Sequence, residues 1–233
     1  MANLIIFAAN LLPLAGVWFW GWDAFQVLML YWAETVIVAL WTLARIATMP
    51  DPDGRNGTGR IIINAGKTVF FALHAGIFIG VHLVFLLTLF SGDWESRMDH
   101  PLGFLDALYI ESGAWVALVL AFVAGLIGFV TATPQPTVVT WFLSRIGGRR
   151  ASFVPEKTDP DKDHLNPVIS GLYTRIIVMQ VGIIFGAWLT DIFGNLGPLV
   201  IVIVLKSVIE LGIWTPWKPT VEKNAKSGDR PAQ

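Results

Sequence analysis

Six long apolar runs constrain this chain more than any other feature. They lie at about 3–20, 24–47, 61–90, 113–133, 168–193 and 196–214. Each holds about 18 or more residues with few charges, the length an α-helix needs to cross about 30 Å of hydrocarbon. Inside a bilayer the backbone must satisfy its own hydrogen bonds, which leaves only helices and closed barrels. Barrel strands alternate over segments of about ten residues, whereas these runs are uniformly apolar. The chain therefore reads as all-α, a polytopic membrane helical bundle of about six transmembrane helices. Residues 1–216 form one transmembrane helical domain and 217–233 a polar tail. Met1-Ala2-Asn3 has no basic n-region, so the first run reads as a retained span rather than a cleaved signal peptide.

The placement of charge gives a direction. Arg45 closes the second run, and Arg55 and Arg60 follow it. Arg145, Arg149, Arg150, Lys157 and Lys162 follow the fourth, and Lys218, Lys223, Lys226 and Arg230 follow the sixth. The opposite loops hold Arg97 alone among basic residues, against seven acids that include Asp23, Asp93, Glu95 and Asp106. The positive-inside rule then puts both termini in the cytoplasm. With 55% hydrophobic and 14% charged residues, disorder is excluded. With 16 basic against 17 acidic residues there is no basic excess, so no nucleic acid is expected as a partner. The absence of Cys removes disulfides, thiolate metal sites and a Cys nucleophile. The partners left are the lipid bilayer and, through helix packing, a second copy or another membrane protein. In the loops, 92–112 mixes acids with Trp94, Leu102, Phe104 and Leu108, and reads in part as an amphipathic helix on the membrane surface; 137–146 reads the same way on the inner side.

Ionisable groups at membrane depth are costly and face the bundle interior or water, so they are the candidate site. Glu34, His74, Gln180 and Lys206 fall near the midplane on four different runs. Glu210 lies one turn inward of Lys206 on the same face. Arg175, Glu210 and Lys67 make a second layer toward the cytoplasm, and His82 lies about 12 Å outward of His74. Glu34 and Glu210 are the carboxylates available to pair with Arg175 and Lys206. His74 and His82 differ by about 80° around their helix and are too far apart to hold one metal together. No H-E-x-x-H pattern is present, and no metal or cofactor is assigned. No phosphate loop, nucleophile elbow or paired-carboxylate motif appears in the runs, so no enzyme class is read. Small residues at four-residue spacing (Ala72, Gly76 and Gly80; Ala121 and Gly125; Gly182 and Gly186) mark faces for close helix approach.

Three segments taken together resemble a known family. They are Tyr31-Trp32-Ala33-Glu34, the stretch from Phe70-Phe71 through His74 to His82, and Tyr173-Thr174-Arg175-Ile176 followed by Leu205-Lys206 and Glu210-Leu211. They resemble a family of bacterial integral membrane proteins of unknown function. The resemblance implies a multi-pass protein of the inner membrane, and it places the family's polar positions on Glu34, His74, His82, Arg175 and Lys206. Glu210 stands where that pattern has Asp, Gln180 where it has His, and Ala75 where it has Tyr. The resemblance names no activity. Three readings stay open: passage of a proton, an ion or a small solute through the midplane site; a non-catalytic membrane subunit or scaffold that binds a partner, a lipid or a pigment; and a membrane enzyme that uses His and Glu with a metal or haem.

Overall fold

Asp23 starts the first long helix. Its Oδ1 accepts the Gln26 amide at 2.8 Å, and Gln26 Oε1 accepts the Asp23 amide at 3.1 Å. This reciprocal box satisfies two backbone donors that a helix start leaves open. Gly21 precedes it with φ of 68°, a turn that an L side chain adopts only with strain. The computed structural model describes residues 16–50, 58–132, 137–146 and 166–193. Among them are α1 (Ala24–Thr48), α2 (Thr58–Leu89), a 3-10 turn (Gly92–Arg97), α3 (Pro101–Leu105), a π turn (Asp106–Glu111), α4 (Trp115–Val130), α5 (Thr137–Ile146) and α6 (Asn166–Phe193). No strand occurs among the described residues.

Helix α1 has no Gly or Pro to interrupt it. It stops where Pro50 holds Met49 extended at φ −65° and ψ 137°. Its last carbonyls are taken by side chains from two neighbours: Thr137 Oγ1 donates to the Thr48 carbonyl at 3.0 Å, and Asn64 Nδ2 donates to the Met49 carbonyl at 2.9 Å. Helix α1 is the hub of the bundle and packs against α2, α4 and α6, while α2 also packs on α6. Trp32 Nε1 donates to the Ile79 carbonyl at 2.9 Å and ties α1 to α2.

Helix α2 turns most of its apolar surface outward. Only Ala75, Ile79, His82 and Leu86 are buried along its length, a narrow stripe of one residue per turn. Leu73 and Ile77 are each 65% exposed. So much outward apolar surface is unfavourable in water and natural in lipid. Helices α1 and α2 are long and apolar enough to cross a membrane. A third span is present if Pro101–Glu111 and Trp115–Val130, which meet at 79°, count as one broken span. The expected surface helix at 92–112 is instead three short pieces. Phe104 and Leu108 of this segment turn into the bundle and pack with Phe25 of α1. Trp22 Nε1 and Tyr109 Oη pin it, donating to the Ser112 and Met29 carbonyls at 2.9 and 3.2 Å.

The second, third, fourth and fifth apolar runs coincide with α1, α2, α4 and α6. The first run up to residue 15, the sixth run with Lys206 and Glu210, and the tail at 217–233 lie outside the described residues.

Candidate functional site

One face of α1 carries Glu34, Val38, Trp41, Thr42 and Arg45. The steps of four, seven, eight and eleven residues from Glu34 bring all five close to one line along the helix. Opposite them stand Ala121, Ala124, Gly125, Gly128 and Phe129 of α4, and Gly171, Leu172 and Arg175 of α6. Together these residues line a cavity of about 540 Å³ that is open on one side. The cavity exists because α4 and α6 present Ala and Gly where larger side chains would fill it. A side chain added at Gly128 or Gly171 meets nothing within 4 Å. Gly125 is different: a methyl group there would collide with the Trp41 indole, which packs between Phe122 and Phe129. Gly125 thus sets how closely α1 and α4 approach.

Among the described lining residues the polar groups are Glu34, Thr42, Arg45, Arg175 and the Trp41 indole N–H, which is buried without a hydrogen-bond partner among the described residues. Arg175 Nη1 lies 3.8 Å from Glu34 Oε2. The Arg175 guanidinium also sits 5.9 Å from the Tyr31 ring centroid, a cation–π distance. Tyr31 Oη donates to the Arg175 carbonyl at 3.4 Å, so a residue one turn from Glu34 holds the same stretch of α6. The side chains of Glu34 and Arg175 keep 13% and 24% of their surface exposed, so the pair is shielded but reachable. Arg45 makes no ion pair among the described residues. Among the described residues, the charges lining the cavity sum to one positive.

The other expected site residues are placed differently. His74 is exposed on α2, with its ring against Phe70 at 5.7 Å, Phe78 at 5.3 Å and Tyr173 at 5.7 Å, and it does not line the cavity. His82 is 1% exposed. Its Nδ1 lies 2.6 Å from the Phe78 carbonyl. A carbonyl only accepts, so Nδ1 is the donor of this contact, and Nε2 has no hydrogen-bond partner among the described residues. Gln180 is half-buried on α6, outside the cavity. Lys67 is exposed on α2. Depth alone put Arg175 in a layer below Glu34; the long arginine side chain spans the two layers. No group of three or more metal-ligating side chains occurs among the described residues. Arg45 was grouped with the cytoplasmic loop charges, and its spacing of eleven from Glu34 was the signal that it shares the Glu34 face.

Residues 1–228 match a family of unknown function (DUF6498). The chain belongs to that family. The match to DUF6498 spans every helix that lines the cavity. No curated protein and no solved structure matches the chain. DUF6498 carries no stated activity, so the geometry of the site has to supply the function.

Proposed function

We propose that this DUF6498 member is a multi-pass protein of the bacterial inner membrane, with six spans and both termini in the cytoplasm, that passes a small solute or proton through the cavity at Glu34 and Arg175. The observation that carries the reading is the shielded Glu34–Arg175 pair, lying on an otherwise mainly apolar cavity near the middle of α1. A charged pair in such a place is expensive unless it is used. Its chemistry follows from the two groups: a guanidinium only donates hydrogen bonds, whereas a carboxyl can exchange a proton. A proton on Glu34 weakens its hold on Arg175, so that an anion can share the guanidinium; release of the anion restores the pair. His74, His82, Gln180, Lys206 and Glu210 complete the proposed set of polar groups at membrane depth. The test is proton uptake into liposomes holding the purified protein, read with a pH-sensitive dye. Wild type should take up protons under a pH gradient and Glu34→Gln should not. Equal uptake by the two refutes the proposal.

A second reading rests on a different surface. Gly76 and Gly80 leave open space on the outward face of α2, where another helix can approach closely. On this reading the protein is a membrane subunit held by a partner helix. Gly76→Leu should then release a partner that co-purifies with wild type in mild detergent. Recovery of wild type as a partner-free monomer removes this reading.

A further inference from the structure

The geometry points to an amphipathic monoanion as the occupant of the cavity: one apolar chain with a single anionic head, of which a long-chain carboxylate is the simplest, held at its head by Arg45. This rests on reading the cavity as a solute site. Three observations carry it. The first is charge. Glu34 and Arg175 offset each other at one end, and Arg45 adds a cation with no ion-pair partner among the described residues at the other. The Arg45 cation favours an anionic head at its end of the cavity. The second is shape. Eleven residues separate Glu34 from Arg45, about 16 Å along the helix, and the wall between them is Val38, Trp41, Phe129 and Leu172 with Thr42 as its one uncharged hydroxyl. A sugar or an inorganic ion needs a denser set of hydrogen-bonding or coordinating groups than this wall offers. An apolar chain needs none.

The third observation concerns what Arg45 is not doing. A cation in the last turn of a helix ordinarily serves the terminal carbonyls. Here Thr137 and Asn64 already hold the carbonyls of Thr48 and Met49. Arg45 instead lines the cavity. Its planar guanidinium matches a carboxylate with two parallel hydrogen bonds.

The test uses the full chain in nanodiscs of zwitterionic lipid and a long-chain carboxylate brominated along its chain, which quenches tryptophan fluorescence on contact. Wild type should show a saturable quenching component, and Trp41→Phe should remove most of it. Arg45→Gln should raise the half-saturating concentration about ten-fold, the loss of one charge-assisted contact, and Arg45→Lys should restore part of it. Gly128→Leu fills the cavity from the α4 side and leaves the Arg45 side chain in place, and should abolish saturation while the protein still elutes as one species. The brominated alcohol of equal length should quench without saturating. Three results each overturn the inference: no saturable component, one that Arg45→Gln and Gly128→Leu both leave unchanged, or saturation by a brominated phospholipid and not by the carboxylate. Proton uptake separates the two proposals. If uptake depends on Glu34 but no carboxylate binds, the substrate class falls and the passage reading stands; if the carboxylate binds but uptake ignores Glu34, the passage reading falls alone.

Discussion

Glu34 and Arg175 should stabilise the bundle jointly, by a coupling set by their contact. At 3.8 Å, two unit charges in an effective dielectric of about 20 attract by about 4 kcal/mol. That figure is gross. Fully exposed pairs return less than about 1 kcal/mol, while breaking a buried pair costs about 3–5 kcal/mol. With 13% and 24% of the two side chains exposed, this pair falls between, and a coupling energy of about 2 kcal/mol is expected. The double substitution of Glu34→Gln with Arg175→Gln should cost about 2 kcal/mol less than the two singles added together. The assay is reversible unfolding of the detergent-solubilised protein in rising SDS, followed by circular dichroism. If the two single costs add within about 0.5 kcal/mol, the two groups do not interact in the folded protein and the charge logic of the cavity fails.

Three further outcomes follow from packing and capping. Gly125→Ala should cost about 1–3 kcal/mol by overpacking against Trp41, and adding Trp41→Leu should recover part of it; equal stability of Gly125→Ala and wild type in the SDS assay refutes the α1–α4 contact. Asp23→Ala removes both the start of α1 and the acceptor of Trp94 Nε1, which lies 2.6 Å from Asp23 Oδ2. About 2 kcal/mol should be lost, and the Trp94 emission should shift on exposure to water; an unchanged unfolding midpoint counts against that contact. His82→Leu replaces an imidazole whose Nε2 is unsatisfied among the described residues, so stability should hold or rise by up to about 1 kcal/mol. A loss above about 2 kcal/mol would mean that Nε2 has a partner after all.

Much of the helical architecture is legible in the sequence because the bilayer leaves few options. An apolar run of sufficient length must close its backbone hydrogen bonds within itself, and the runs at 24–47 and 113–133 correspond to Ala24–Thr48 and Trp115–Val130 within a few residues. The loop at 92–112 was less legible. Phe104 and Leu108 face inward, with Trp22 and Tyr109 holding that segment against α1, and no local pattern encodes a contact across eighty or ninety residues. The intramembrane charges were legible one by one, since a charge at that depth stands out against its apolar run. Their pairing was not.

The small-residue stripes show most directly where the sequence stops. Gly76 and Gly80 on α2 and Gly125 on α4 give the same signal along the chain. In the fold the first two face outward into open space, and the third lies against Trp41. Residue types and spacing determined the helices, their apolar length and the presence of Glu34, Arg45 and Arg175 on them. Only the tertiary structure decided which face of each helix meets α1, that Arg175 reaches Glu34, and that Arg45 lines the same cavity. The physical reason is that lipid solvates any apolar face as well as another helix does. The hydrophobic effect therefore leaves helix rotation undetermined, and close packing with hydrogen bonds between helices sets it.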